Sequence, residues 1–302
     1  LNENSVTNMS YMFNNCGFRS MTSLNLSEFN TKYVTNMSHM FNGCGTTAMT
    51  TFSLGNSFYT SEVTDMTNMF NGCGQNGITT FTLGSNFNTA KVQNMSGMFQ
   101  NFGAVKVKTL NLGNSFYTSE VTDMSNMFNG AGKTSMTSLT LGNNFNTSKV
   151  TTMSGMFQDC GTTALTSLDL GNLFYTSEVT NMSNMFNGCG TTAMTTLDLG
   201  PAFTKIAETN TNFATNLGNA GTTIYAPESI YSSQTAFKPN STNTSTTIAY
   251  TTGTINPIYR PQWTKVSSSI SGQTISVVLK GNASQSQTLD SGKVKINYSS
   301  NV

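Results

Sequence analysis

Residues 63–73 read VTDMTNMFNGC, and close copies of this stretch recur through the first two thirds of the chain. Each copy opens with a valine or isoleucine, and the spacings between these residues are 28, then 29 five times, then 27. They are Val6, Val34, Val63, Val92, Val121, Val150, Val179 and Ile206. A fixed period of this length is typical of a solenoid, in which each repeat, or rung, buries its apolar side against its neighbours.

The first half of each rung predicts a short helix. Within residues 63–73 the valine is followed at +3, +6, +7 and +10 by Met, Met, Phe and Cys, which places one apolar stripe along about three helical turns. Asn-Gly pairs such as Asn71 and Gly72 predict the end of the helix, because both residues tolerate left-handed backbone geometry. Threonines such as Thr60, three residues before the valine, are candidate N-caps.

The second half of each rung predicts a strand. Leu165, Leu168 and Leu170 have the L-x-x-L-x-L spacing of a leucine-rich repeat. Stacked strands lie about 4.8 Å apart, whereas packed helices need about 8–10 Å, so the rungs should curve. We therefore expect an α/β fold, a right-handed leucine-rich-repeat solenoid with a parallel β-sheet on its concave face and short helices on its convex face.

The repeat pattern fades after about residue 221, which divides the chain into two predicted parts. Residues 1–228 are predicted to form the solenoid, with about seven rungs of 29 residues and a degenerate cap. Residues 229–302 are predicted to form a Ser/Thr-rich linker and a small β-rich module, which we expect to be truncated. In this module, residues 274–280 and 293–298 alternate as strands do.

The composition excludes several classes of function. Charged residues make up 9% of the 302 residues and the net charge is +1, so no basic field is available to bind nucleic acid. No apolar run reaches the 18 residues of a membrane span, so we expect no membrane insertion. With one histidine and no C-x-x-C motif, we predict no metal and no cofactor.

All five cysteines occupy the +10 column of the rung, where Phe102 and Ala131 take their place in two copies. A column that accepts Cys, Phe or Ala is an apolar position. We therefore expect buried, unpaired thiols, because helices on adjacent rungs would hold them too far apart for a disulfide.

Residues 21–44, with the core pattern V-T-x-M-x-x-M-F, resemble the BspA-type leucine-rich repeat of bacterial surface proteins, and the eight-residue core occurs seven times. The resemblance covers about residues 1–228. It implies a secreted or cell-wall-attached protein that carries no catalytic residues. Since several members of that family are described as adhesins, it also implies an extracellular location and a host protein or glycan as partner.

Outward-facing positions of the predicted strands supply the candidate binding residues, because they form uncharged columns that end in two carboxylates. The candidates on the strands are Thr80, Thr109, Asn111, Thr140, Asp169 and Asp198, and the exposed-aromatic candidates are Tyr59, Tyr117 and Tyr175. These residues favour a monomeric, non-catalytic binding region of an adhesin. The main alternative is a stalk that presents another domain.

Two further alternatives rest on particular residues. Asp169 and Asp198 lie one rung apart, a separation that suits a retaining glycoside hydrolase. Regular threonine columns are also a feature of ice-binding solenoids, although the predicted curvature and the asparagines in the columns disfavour that function.

Overall fold

A computed structural model describes residues 6–219, 222–227, 230, 256–257, 264–271 and 274–280. Its two compact units comprise Leu1–Ile258 and Tyr259–Val302. The strands are β1 (Ser23–Asn25), β2 (Thr51–Ser53), β3 (Thr109–Asn111), β4 (Ser138–Thr140), β5 (Ser167–Asp169), β6 (Thr196–Asp198), β7 (Thr223–Ala226), β8 (Asn256–Pro257), β9 (Thr264–Ser271) and β10 (Thr274–Lys280).

Short parallel strands stack from rung to rung in the first unit. β1 pairs with β2, β3 pairs with β4, and β5 to β8 form one four-stranded sheet. The register joins equivalent positions of successive rungs, such as Leu168 with Leu197. In β3, β4 and β5 the central leucine is buried and its neighbours are exposed, as the sequence alternation predicts. We call this stack the strand ladder.

A second parallel ladder runs along another side of the same rungs. Single bridges join equivalent residues of consecutive rungs in an unbroken series: Asn8, Asn36, Asp65, Asn94, Asp123, Thr152, Asn181 and Thr209. Two ladders per rung, linked by turns, define a β-solenoid. The predicted α/β leucine-rich-repeat fold with helices on a convex face is therefore wrong, and residues 6–219 contain no helix.

Consecutive turns occupy the segment that the apolar spacing assigned to a helix. In residues 37–44, the backbone N–H groups of Met40 and Asn42 donate to carbonyls three residues back, at 3.2 Å each. The N–H groups of the alternate residues His39 and Phe41 donate instead to the next rung, at 2.7 and 2.8 Å. An α-helix would direct all these donors within its own segment, so this pattern excludes one.

Left-handed backbone positions explain why the helix does not form. His39 and Gly43 have φ values of 58° and 64°, and each stands third in a four-residue turn, as in type II turns. Asparagine or glycine occupies the equivalents of His39 in every rung from Asn68 to Asn212. The prediction of left-handed backbone geometry at the Asn-Gly pairs is confirmed. This geometry, however, recurs within the segment predicted to be helical and does not mark the end of a helix.

The core is a set of side-chain stacks parallel to the ladders. Phe41, Phe70 and Phe99 are fully buried, and successive ring centroids lie 5.5 Å apart with nearly parallel planes. This spacing is far below the roughly 8–10 Å between packed helices. The spacing mismatch that predicted a curved horseshoe is therefore absent between these rungs.

Buried threonines hydrogen-bond between rungs and do not cap helices, contrary to the sequence interpretation. The Thr118 hydroxyl donates to the Asn146 carbonyl at 2.8 Å and accepts from the Asn146 N–H at 2.7 Å. Its side chain is completely buried. The same column of buried hydroxyls continues at Thr31, Thr60, Thr89, Thr147 and Thr176. These bonds fix each rung to the next.

The second unit contains an antiparallel pair formed by β9 and β10. β10 has the bounds that the alternation of residues 274–280 predicts. The predicted strand at residues 293–298 lies outside the described residues, as does most of the predicted linker.

Candidate functional site

The strand ladder presents its outward side chains to solvent. Thr109, Asn111, Thr140 and Asp169 are exposed at strand ends, while Asp198 is half-buried. Thr80 is exposed as well, but its rung has no assigned strand, contrary to the expectation of one strand in every rung. Ladder hydrogen bonds hold the backbone within each sheet, but no strand pairing joins β2 to β3 or β4 to β5.

Asp169 and Asp198 lie opposite each other in register on β5 and β6. One carboxylate oxygen of Asp169 accepts the Gly171 N–H at 2.8 Å, and one of Asp198 accepts the Gly200 N–H at 2.9 Å. Asn111 makes the equivalent bond at the end of β3. These three Asx residues therefore have a structural role, because each closes the turn that follows its own strand.

A shallow groove brings two of the candidate residues together. Thr140 and Asp169 line it with Ser138, Asn143 and Ser167, and its volume is about 330 Å³. Hydroxyl, amide and carboxylate groups dominate this lining, which suits hydrogen bonding to a polar ligand. None of the three candidate tyrosines lines this groove.

The tyrosines occupy a separate part of the rung, directly after a buried phenylalanine such as Phe116. Tyr117 and Tyr175 are each 37% exposed, whereas Tyr59 is half-buried. Buried threonines of the preceding rungs donate to the three tyrosine carbonyls at 2.6–2.7 Å. We call Tyr59, Tyr117 and Tyr175 the tyrosine column.

Beside the tyrosine column, the alternating charges pair across rungs. Lys91 binds Glu62 and Lys149 binds Glu120, both at 2.7 Å. The four side chains are about half exposed, so each pair contributes at most about 1 kcal/mol to stability. Their larger effect is to neutralise this surface locally.

Sequence reasoning missed a groove that spans the first three rungs. Lys32, Tyr33, Thr35 and Glu62 line it, and its volume is about 470 Å³. Tyr33 is 42% exposed and its ring lies 5.6 Å from the Lys32 ammonium nitrogen. Tyr33 occupies the column of Glu62, not that of Tyr59, so the period of the tyrosines did not reveal it.

A second feature that the sequence analysis missed is the apolar surface of the first described rung. Met12 and Phe29 line a cavity of about 430 Å³ there, and Tyr11 and Phe18 are exposed nearby in sequence. In later rungs the equivalents of Met12 are buried. Met12 is exposed because no described rung precedes its own. The repeat pattern does not reveal this, since methionine occupies the position in every rung from Met12 to Met185.

The cysteine column behaves as predicted with one exception. All five thiols are free and four are buried, but Cys16 is exposed. The prediction that adjacent rungs hold the thiols far apart is wrong, because stacked turns bring them closer than helices would. Burial, followed by the contact with the Cys44 thiol, raises the pKa of Cys73 well above its ordinary value.

The described residues offer few other ligand sites. They contain no group of three or more His, Cys, Asp or Glu side chains that could hold a metal ion. Nor does any helix among them have the length and apolarity needed to cross a membrane.

Comparison with known proteins yields one family. The family model described as "Mycoplasma protein of unknown function, DUF285" matches residues 1–110 and 102–199, which together make up more than half of the chain. No curated protein and no solved structure matches the chain.

Proposed function

We propose that this chain, which belongs to the DUF285 family of Mycoplasma proteins of unknown function, is a non-catalytic binding region of a bacterial cell-surface adhesin. Its partner in this proposal is an extracellular host protein or a glycan. The resemblance of residues 21–44 to the BspA-type repeat supports a surface location. We propose further that the strand ladder carries the contact surface.

One observation supports this proposal most: exposed, uncharged side chains of two parallel strands, β4 in one sheet and β5 in the next, line a single groove. Ser138, Thr140 and Ser167 face outward around buried leucines, and they line the groove beside Asp169. A preorganised surface loses little conformational entropy on binding, which favours affinity. Small hydroxyl side chains also leave the backbone of the sheet accessible to a partner.

The role of the acids disfavours hydrolysis. Asp169 and Asp198 each accept an N–H within their own turn, as Asn111 does in another rung. A glycoside hydrolase needs one carboxylic acid and one carboxylate aimed at the scissile bond. Closing the turns after their strands accounts for both aspartates without a catalytic role.

A stalk is the second candidate function, and the inter-rung hydrogen bonding favours it. The unbroken series of single bridges joins consecutive rungs through the backbone, and the buried threonine hydroxyls add bonds to the backbone of the next rung. A solenoid of this kind serves as a stiff spacer between a surface and another domain. In that case the exposed side chains would contact no partner.

An array of extracellular matrix proteins and glycans separates the two candidates. The unchanged chain should bind at least one probe, and the double variant Thr140→Arg, Ser167→Arg should lose that binding, because two arginines would fill the groove. Thr134→Arg, an exposed position of the turn segment, is the matched control. Binding retained by the double variant would remove the strand ladder as the site, and no binding to any probe would favour the stalk.

A further inference from the structure

The tyrosine column repeats at every second rung, which gives it twice the spacing of the solenoid. Tyr59, Tyr117 and Tyr175 are each separated by 58 residues. Stacked strands lie about 4.8 Å apart, and the phenylalanine rings directly before this column lie 6.1–6.5 Å apart, so equivalent atoms of two successive tyrosines are roughly 10–13 Å apart. The intervening Phe145 stacks on Phe116 and Phe174 with centroids 6.3 and 6.2 Å away, so the rungs remain in register along this edge.

Each tyrosine is held in place by a buried group of its own. The Thr89 hydroxyl donates to the Tyr117 carbonyl at 2.7 Å, and the Thr147 hydroxyl donates to the Tyr175 carbonyl at 2.6 Å. Both threonines are 1% exposed. The backbone of each tyrosine is therefore fixed by the solenoid, which reduces the entropy lost when a ligand binds at the column.

The rungs between the tyrosines carry a shorter side chain at the tyrosine position. Asn88 and Asn146 occupy the tyrosine position there, and their side-chain oxygens accept the N–H groups of Ala90 and Ser148, at 2.9 Å each. These short side chains are turned back onto their own backbone. The tyrosines are therefore separated by asparagines, and no ring of the described residues stacks on Tyr59, Tyr117 or Tyr175.

The polar groups around the column suit a neutral, hydroxyl-rich ligand. None of the three phenol hydroxyls hydrogen-bonds to another described residue, so each remains able to donate and accept. The charges beside Tyr59 and Tyr117 are paired as Glu62 with Lys91 and Glu120 with Lys149, whereas Glu178, beside Tyr175, has no ion pair with a described residue. Because the charges within each pair compensate each other, these pairs would not attract a charged polymer.

We infer that the tyrosine column binds a neutral, extended, β-1,4-linked glycan. Two pyranose units of such a chain have about the length of two rungs, so every second sugar ring meets one tyrosine. The C–H face of a pyranose packs on an aromatic face, and the phenol hydroxyls bond sugar hydroxyls. This inference rests on the proposed binding function and adds to the strand ladder a second contact surface, the tyrosine column, with its own ligand class.

A proline-rich peptide is the competing ligand, since one turn of polyproline II advances about 9.3 Å. Domains that bind such peptides enclose the proline rings in grooves with aromatic walls. The tyrosines of the column are instead separated by folded-back asparagines, which favours one stacked sugar per ring. The peptide therefore becomes an outcome of the test.

Affinity measurements with defined oligomers test the inference. The probes are cellohexaose, chitohexaose, the α-linked maltohexaose and a nine-residue proline-rich peptide, titrated into the full chain by calorimetry. We expect binding of a β-1,4-linked hexasaccharide, and a loss of about tenfold or more for Tyr117→Ala, the central residue of the column. Tyr117→Phe should retain most of the affinity if stacking dominates.

Two controls keep the outcomes distinct. Tyr33→Ala removes an exposed tyrosine outside the column and should bind normally, and thermal unfolding verifies that each variant folds. Equal affinity of Tyr117→Ala and the unchanged chain, or binding of the peptide alone, would overturn the inference. Glycan binding that is lost only in Thr140→Arg, Ser167→Arg would overturn the tyrosine site while supporting the proposed binding function, and failure of every array and oligomer probe would count against both.

Discussion

Phe128 stacks on Phe157 of the next rung with ring centroids 5.5 Å apart and planes 9° from parallel. Both rings are completely buried. The pair shows how the solenoid is stabilised. In an isolated rung the phenylalanine ring would face solvent, whereas in the stack the ring of the neighbouring rung covers it. Equivalent pairs extend from Phe41 to Phe186.

Truncation of Phe128 should destabilise the whole solenoid. Phe128→Ala removes a ring that stacks on Phe99 and Phe157, and we expect the free energy of unfolding to fall by about 3–5 kcal/mol. Urea denaturation followed by circular dichroism measures the loss. Phe18→Ala, at an exposed position, is the control and should change little. Equal stabilities of the two variants would contradict the central role of the phenylalanine stack.

Replacement of Thr118 by Val keeps the shape of the side chain but removes a buried hydroxyl. The Asn146 N–H and carbonyl would then lose their partner in an apolar setting, at a cost of about 1–3 kcal/mol. Thr122→Val is the matched control, since its hydroxyl bonds the Gln93 carbonyl at an exposed site. A control variant as unstable as Thr118→Val would show that burial does not set the cost.

Glycine is required at position 130 for two separate reasons. Its φ is +67°, and a Cβ there would collide with the Asn101 side-chain oxygen of the preceding rung. Gly113 has a similar φ of +74°, but no atom lies within 4 Å of the position that a Cβ would take there. We expect Gly130→Ala to lower the thermal midpoint more than Gly113→Ala, because only the former adds a steric clash to the backbone strain. Equal thermal midpoints of the two variants would show that the clash with Asn101 does not contribute to the loss of stability.

The thiols should differ sharply in their reactivity. Alkylation of the native protein should label Cys16 rapidly and leave Cys44, Cys73, Cys160 and Cys189 unlabelled, because these four are buried. Intact mass spectrometry counts the labels, and unfolding in guanidinium should expose all five. Rapid native labelling of more than one thiol would show that the cysteine column is open to solvent.

Stability should fall at alkaline pH because of the buried thiols. The pKa of Cys73 is raised mainly by burial, and that of Cys189 by its hydrogen bond with Cys160 and then by burial, whereas the hydrogen bond with Cys73 lowers the pKa of Cys44. A raised pKa in the folded state means that the unfolded chain releases protons first, so the stability that is present below about pH 8.5 declines as the pH rises beyond it. Denaturation at a series of pH values from neutral to alkaline measures the slope.

Alanine provides the control for this slope, since Ala131 shows that the column accepts it. The double variant Cys73→Ala, Cys189→Ala should have a flatter decline of stability with alkaline pH than the unchanged chain. An identical slope in both proteins would assign the pH dependence to other groups.

The sequence by itself determined the solenoid, its period and its buried columns. Recurrence of Val, Met, Phe and Cys at fixed offsets is enough to place them inside, because a repeat of this size can bury its apolar side only against copies of itself. The same period identified the strand positions around Leu168 and the tyrosines 117 and 175 as surface residues. It also revealed the charge alternation that pairs Lys149 with Glu120.

Only the tertiary structure decided what the segment from Met37 to Cys44 forms. Apolar spacings of three and four residues fit a helix and a run of turns equally well. The choice depends on whether the N–H of Phe41 bonds within its segment or to Met69 of the next rung, and no local pattern contains that information. The same physical reason separates the tyrosine column from the groove at Asp169, because the path of each turn sets which side of the rung a residue faces.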